Sequence, residues 1–401
     1  MIPVIRPLLG AEEAAAAAEA VMSGWVAQGP RVAEFEAAFA KATGSGHAVA
    51  VSSCTAGLHL AMIAAGVRAG DEVVVPSLSF IATANAARYV GAEAVFADVD
   101  PATLNLTPAT VEPLLTERTR AVILVDQAGV PADLDAMRAL CDPRGITVVE
   151  DAACAAGATY HGRPAGAGAS LAAFSFHPRK LLTTGEGGMI ITPDPDLAAR
   201  LRRLREHGMD VSAAARHAAH QPVIEHYLEV GYNYRMTDVQ AAIGLVQLRR
   251  LGDIITRRRQ LAHRYQRLLG QIPGLAMIAD PDYGTTNFQS FWVALPDDFA
   301  VTRNELLQRL AEAGVSARRG IMAAHLEPAY ADRARGGHLP VTERLSSSSF
   351  ILPLFHQLTQ DEQDQVISVV FDAAGLPVTP DRQPVTSAVV LRSRAFDARR
   401  G

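Results

Sequence analysis

Seven short apolar runs, separated by helical stretches, dominate the chain between residues 47 and 192 and fix its class. They fall at 47–51, 72–75, 94–97, 121–125, 146–150, 172–176 and 189–192. Several are apolar at every position, as in Val73-Val74-Val75 and Val122-Ile123-Leu124-Val125, so both of their faces must be covered. The stretches 55–65, 81–89 and 134–140 between them suit helices. Strand–helix alternation of this length predicts an α/β fold, a doubly wound sheet with helices on both faces. Ligands of such sheets gather beyond the carboxyl ends of the strands, and Ser52, Pro76, Asp126, Asp151 and Ser175 all fall near those ends.

Helices are expected ahead of this region at 10–23 and 31–43, the second with Val32, Phe35 and Phe39 at helical spacing. Two more are expected at 237–251 and 253–269. After Pro273 a smaller α+β segment follows, with a strand at 291–295 and a helix at 303–312. A chain of 401 residues, 49% of them hydrophobic, has material for two packed domains, expected at 1–250 and 251–375. From 376 the sequence is rich in Pro, Thr, Ser and Arg without periodicity, and this tail is expected to be disordered.

Only two of the 37 Lys and Arg residues are lysines, Lys41 and Lys180. A chain that uses arginine almost everywhere keeps lysine where arginine cannot serve. Arginine stays protonated, whereas a lysine amine can lose its proton and form a Schiff base. Lys180 lies in Phe174-Ser175-Phe176-His177-Pro178-Arg179-Lys180, and Asp151 ends the run Ile146-Thr147-Val148-Val149-Glu150. A lysine with an upstream strand-end aspartate is what pyridoxal 5′-phosphate requires. The lysine carries the cofactor, and the carboxylate keeps the pyridine nitrogen protonated so that the ring accepts electrons. Lys180 and Asp151 are therefore the expected catalytic residues.

Composition removes other classes. A formal net charge of −5 gives no basic excess for nucleic acid. Cys54, Cys141 and Cys154, the only cysteines, are too few and too scattered for a disulfide framework or a closed zinc site, and no metal is expected. The N-terminus lacks the pattern of a secretory signal and no apolar stretch is long enough to span a bilayer, so a cytoplasmic protein without membrane contact is expected.

Smaller motifs have two readings each. Val51-Ser52-Ser53-Cys54-Thr55-Ala56-Gly57 is a strand end entering a helix, whose N–H groups and Thr55 hydroxyl suit a phosphate; it is equally a plain N-cap. Ser175 is another phosphate hydroxyl or a strand serine bonded to backbone. Phe80 is a ring for stacking on a flat heterocycle or a core residue. Cys54 and Cys154 read as small buried hydrophobes, and His177 as structural. Gly185-Glu186-Gly187-Gly188 lacks the Gly-Lys-Ser/Thr ending of a P-loop. Gly231-Tyr232-Asn233-Tyr234-Arg235-Met236-Thr237-Asp238 is a helix entry or a polar loop reaching a neighbouring site.

Together these segments resemble the DegT/StrS family of sugar aminotransferases. The markers are Ser23-Gly24-Trp25-Val26-Ala27-Gln28-Gly29-Pro30, the turn at 52–56, Glu150-Asp151-Ala152-Ala153, the lysine segment at 175–188, Gly231 to Met236, and Pro353-Leu354-Phe355 with Leu358-Thr359. The resemblance runs from about Ile2 to Leu376. It implies a type I PLP-dependent transferase fold: a large domain with a mixed, mostly parallel seven-stranded sheet, and a smaller C-terminal α+β domain. It also implies that Lys180 binds the cofactor covalently and Asp151 pairs with its ring nitrogen. Phe80 would stack on the ring, Thr55, Ala56 and Ser175 would contact the phosphate, with Cys54 in the same turn, and Asn233 would reach it from the partner subunit of a homodimer.

The implied activity moves an amino group from L-glutamate or L-glutamine to a nucleotide-linked keto sugar, as in amino sugar and antibiotic biosynthesis. The alternative is a cyclic ketone such as an inosose. A non-catalytic cofactor-binding regulator is disfavoured by Lys180 and Asp151 both being present, and a family branch that dehydrates carries histidine in place of the lysine. Three positions depart from the family. Cys54 stands for the common glycine, and Cys154 for the Gln or His beside the cofactor's phenolic oxygen, where a small apolar role is expected. Val125-Asp126-Gln127-Ala128-Gly129 replaces a His-Leu-Tyr-Gly run in a turn expected to face substrate.

Overall fold

The computed structural model of the chain describes residues 1–212, 216, 221–331 and 337–377. The tail expected from 376 lies, from Val378 on, outside the described residues. Helices α1 (Ala11–Met22) and α2 (Pro30–Thr43) lead into β1 (His47–Val51), α3 (Cys54–Ala64), β2 (Glu72–Pro76), α4 (Ala82–Tyr89) and β3 (Glu93–Ala97). Then come α5 (Pro108–Val111), β4 (Thr119–Val125), α6 (Leu134–Cys141), β5 (Thr147–Asp151), a small hairpin of β6 (Thr159–Tyr160) and β7 (Arg163–Pro164), β8 (Leu171–Ser175), β9 (Gly188–Thr192) and α7 (Pro195–Leu204).

Seven strands form one sheet in the order β1-β9-β8-β5-β4-β2-β3. All run parallel except β9, which is antiparallel to both β1 and β8. These are the seven runs read from the sequence, with ends displaced by two residues at most. The continuous apolar pattern has a direct cause, because alternate residues feed two different cores. Val49, Val51, Val73, Val75, Ile123, Val149 and Ala173 pack with α3, α4 and α7 on one face. Ala50, Val74, Val122, Leu124, Val148 and Ala172 pack with α2 and α6 on the other.

The helices expected at 237–251 and 253–269 are a single helix, α8 (Asp238–Leu269), 32 residues long. Gly252 does not end it, since tertiary bonds anchor it on both sides. Glu13 of α1 accepts from Gln247 Nε2 and Arg250 NH1, each at 2.8 Å. Beyond the glycine, the buried Arg258 guanidinium donates to the carbonyls of Phe288 (2.9 Å), Gln289 (2.7 Å) and Leu354 (2.7 Å). Against these, a mid-helix glycine costs only about 1 kcal/mol. Residues 250 and 251, at which a domain division was expected, lie inside this helix.

At its N-terminus Thr237 caps α8 reciprocally with Gln240. The next residue, Asp238, is fully buried, and its carboxylate accepts from the N–H groups of Gly29 (2.7 Å), Arg31 (3.0 Å) and Val32 (3.0 Å), capping α2 from outside the segment. Gly244 lets the two helices close, because a Cβ there would sit 2.7 Å from the Phe35 ring.

After α8 come β10 (Ala276–Met277), β11 (Gly284–Thr285), β12 (Phe291–Ala294), α9 (Arg303–Glu312), β13 (Arg318–Arg319), α10 (Pro340–Ser348), β14 (Ser349–Leu352) and α11 (Gln360–Ala373). β10, β12, β14 and β13 form a four-stranded antiparallel sheet, and β11 joins the β6–β7 hairpin. The small sheet shares its core with the large one, from Phe174 and Phe176 through Tyr265 to Phe350 and Phe371. No helix among the described residues is long and apolar enough to cross a membrane.

Candidate active site

Asp151 is the last residue of β5 and is 4% exposed. Thr83 Oγ1 donates to its Oδ2 at 2.9 Å and the Ala153 N–H to its Oδ1 at 3.2 Å. Burial raises the Asp151 carboxyl above the ordinary range, while the Thr83 hydroxyl, the Lys180 charge and the Ala153 N–H oppose it. Thr83 was not singled out in the sequence. It lies three residues after Phe80, on the helix that follows β2, and its hydroxyl also meets Ser79 Oγ at 2.8 Å.

Lys180 lies in the loop between β8 and β9. That loop is held by Lys180 N to His177 O (2.8 Å), Thr184 N to Phe176 O (3.0 Å) and Thr183 Oγ1 to Phe176 O (2.9 Å). Gln289 fixes it from the small-sheet side, donating to Arg179 O at 2.6 Å and accepting from Leu181 N at 3.2 Å. The Lys180 Nζ donates to Cys154 Sγ at 3.0 Å, a contact the sequence did not reveal. Burial alone would lower this amine, but Cys154, Cys54 and Asp151 together outweigh it and hold it above the usual lysine range.

The loop ends on Gly188, where a Cβ would lie 2.6 Å from Cys54 N. That glycine lets the start of β9 abut the start of α3. Ser53 caps α3 and accepts from Ala56 N at 3.1 Å, so this N–H is already engaged. The Thr55 hydroxyl has no partner among the described residues. Ser175 Oγ accepts only a long bond, 3.5 Å, from His177 N. Cys54 is buried in the core beneath. Phe80 stands apart: its ring is 60% exposed although it follows a fully buried strand. Asn233 is exposed on a segment whose neighbour Tyr234 accepts from Ser52 N at 2.7 Å.

This donor set fits pyridoxal phosphate. It offers an amine, a buried carboxylate, a helix N-terminus with a free hydroxyl, and an uncovered aromatic ring. Among the described residues no group of three His, Cys, Asp or Glu side chains is placed to hold a metal ion.

The Asp126–Ala128 turn does not face substrate, contrary to expectation. Asp126, Gln127 and Ala128 are 0%, 4% and 5% exposed, because the turn's polar groups are spent internally. Gln127 Nε2 donates to Leu78 O at 2.7 Å and Gln127 N to Asn105 Oδ1 at 2.9 Å. Asp126 Oδ1 accepts from Ala132 N at 2.8 Å, and Glu150 Oε1 from Gly166 N at 2.9 Å. The remaining oxygens, Asp126 Oδ2 and Glu150 Oε2, are buried without a hydrogen-bond partner among the described residues. Burial first, then the Glu150 charge, raises Asp126 well above the ordinary carboxylate range.

A raised folded-state pKa means that Asp126 stabilises the fold at low pH, and this is lost as pH rises through the folded value. Asp126→Asn mimics the protonated acid and is expected to change stability at pH 7 by no more than about 1 kcal/mol. Asp126→Ala leaves the Ala132 N–H unpaired and is expected to cost about 1–3 kcal/mol. Urea unfolding of both variants checks this, and equal losses would show Asp126 to be charged.

A model of the DegT/DnrJ/EryC1/StrS aminotransferase family matches residues 7–371. The aminotransferase TlmJ from Streptoalloteichus hindustanus is 40% identical, with a TM-score of 0.86 over 94% of this chain and 99% of that one. The sugar aminotransferase CalS13 from Micromonospora echinospora is 32% identical, with a TM-score of 0.84 over 93% and 100%. Spr1654 from Streptococcus pneumoniae in its PMP form is 26% identical, with a TM-score of 0.87 over 94% and 99%, and it has also been solved in a PLP form. With nearly its whole length matched, the chain belongs to the DegT/DnrJ/EryC1/StrS aminotransferase family, whose enzymes work with pyridoxal phosphate.

Proposed function

We propose that the enzyme transfers an amino group from L-glutamate or L-glutamine to a nucleotide-linked keto sugar, as a homodimer with shared active sites. The observation that carries this reading is the single site lysine and a fully engaged buried aspartate at the carboxyl end of one sheet. The bound cofactor supplies a ring that accepts the electron pair left when the donor's α-carbon loses its proton.

The chain's own groups do the rest. Lys180 Nζ would hold the cofactor and, once freed by the donor amine, would take the α-proton as base and return it as acid. Asp151 keeps the ring nitrogen protonated, and the Thr83 and Ala153 bonds fix both of its oxygens. Phe80 would cover one ring face, while the Thr55 and Ser175 hydroxyls would hold the phosphate, with Cys54 and Ala56 in the same turn. On the ketone the same proton moves run in reverse.

The anionic part of the substrate is inferred from two arginines. Arg179, next to Lys180, and Arg318 on β13 are both exposed, and neither has an ion pair among the described residues. Arg179 also lowers Arg318, after burial, as one cation near another does. Two unneutralised guanidiniums beside the site suit a diphosphate, which a nucleotide-linked sugar carries and an inosose lacks. A dimer is supported by the uncovered apolar side chains of Ile224, Leu228 and Val230, 80%, 62% and 85% exposed, on the segment that leads to Asn233. Asn233 would then act in the partner's site.

The test loads the enzyme as its pyridoxamine form and offers nucleotide-linked keto sugars and an inosose. A nucleotide-linked ketone is expected to restore the original absorbance. Arg318→Gln should raise its KM about tenfold, near the worth of one charged hydrogen bond, with kcat little changed. Consumption of the inosose alone, or an unchanged KM, would overturn the substrate assignment.

A further inference from the structure

Cys154 has no part in the mechanism above, yet its sulfur is 3.0 Å from the Lys180 amine. The thiol is fixed there by its surroundings. Asn287 Nδ2 donates to both Cys154 O (2.8 Å) and Ala156 O (2.9 Å), and Ala155 N donates to Ala152 O (2.9 Å). Only one side-chain torsion remains to place the sulfur, and the lysine stem is flexible enough to close the remaining gap. Cys154 is also the only one of the three cysteines that is not buried, so a small oxidant can reach it.

We propose that Cys154 and Lys180 form a reversible covalent lock, a sulfenamide made by peroxide when the lysine is not carrying the cofactor. The Cys154 thiolate attacks one peroxide oxygen and the O–O bond breaks. Sulfur gives up two electrons, becoming a sulfenic acid, and the other oxygen takes a proton from the adjacent Lys180 ammonium and leaves as water. The neutral Lys180 amine then attacks that sulfur, an S–N bond forms, the S–O bond breaks, and a second water carries off the proton lost by nitrogen. One thiol, one amine and one hydrogen peroxide thus give one S–N bond and two waters. Two equivalents of an external thiol reverse the change, restoring Cys154 and Lys180 and leaving as a disulfide.

The consequence for catalysis rests on Lys180 being the cofactor lysine, as proposed above. The lock would then close only on enzyme whose lysine is free, as in the pyridoxamine form, and the form in which Lys180 carries the cofactor would be protected. Peroxide would stop turnover part-way through the cycle.

The test treats both forms of the enzyme with hydrogen peroxide and reads intact mass and peptide maps. The expected result for the pyridoxamine form is a mass lower by two hydrogens and a peptide joining Cys154 to Lys180, both reversed by dithiothreitol. The lysine-linked form should show several-fold less of it. Cys154→Ala and Lys180→Arg should abolish the cross-link, and Cys54→Ala should leave it. A Cys154 that proceeds only to sulfinic acid, or a Cys54–Cys154 disulfide in its place, would overturn the lock. Borohydride mapping on the same samples separates the two readings. Cofactor on Lys180 without a cross-link refutes the lock alone, and a cross-link without cofactor on Lys180 refutes the catalytic assignment alone.

Discussion

Lys180→Arg is expected to abolish turnover while the fold and the phosphate site persist. Arginine keeps the positive charge but provides no neutral amine near neutral pH. Loss of acid–base catalysis alone is worth about 10²–10⁴-fold, and covalent attachment is lost as well. Borohydride reduction of the wild type should place the pyridoxyl adduct on Lys180. The other lysine makes a clear control, since Lys41 is exposed in the last turn of α2, where a cation complements the helix dipole. An adduct on Lys41 would remove the whole assignment.

Asp151→Asn separates attachment from chemistry. The amide oxygen can still accept from the Ala153 N–H while its NH2 donates to the Thr83 hydroxyl, and Lys180 is untouched, so the cofactor should still be bound covalently. The neutral side chain no longer enforces protonation of the ring nitrogen, and the donor half-reaction is expected to slow by about 10²–10³-fold, the worth of one preorganised electrostatic group. Rapid mixing with the amino donor measures this step directly, and a rate near wild type would refute the role. Stability should move the other way. Burial raises Asp151, so its charged form costs stability as pH rises through the folded-state value, and asparagine removes that cost.

The large sheet was legible because its strands are buried on both faces, and a run such as Val73-Val74-Val75 has no other stable place in a folded chain. The two-residue strands, β6, β7, β10, β11 and β13, were not, since two residues carry no periodicity. The misplaced break at Gly252 has a different origin. Leu251-Gly252-Asp253 has the local look of a helix end, and only the bonds of Arg250 and Arg258 to distant segments show that the helix continues. In the site, Lys180 stood out by composition and Asp151 by its strand end. Thr83 and the sulfur beside Lys180 did not, because each matters only through a partner 68 or 26 positions away. The Asp126–Ala128 turn was misread for the same reason, as nothing local reveals that Asn105 and Leu78 consume its polar groups.

The cap that Asp238 places on α2 has a bearing on synthesis at the ribosome. Gly29 waits for a partner 209 residues downstream, and among the described residues β1 pairs only with β9. At translation rates of about 5–20 residues per second, the start of α2 emerges roughly 10–40 s before the residue that caps it. Throughout that interval Val32, Phe35 and Phe39 have none of their final neighbours from α8, and the α2 N-terminus carries open N–H groups. The first forty residues of this enzyme are therefore among the earliest made and the last to be finished, a stage at which a nascent-chain chaperone has the most to shield.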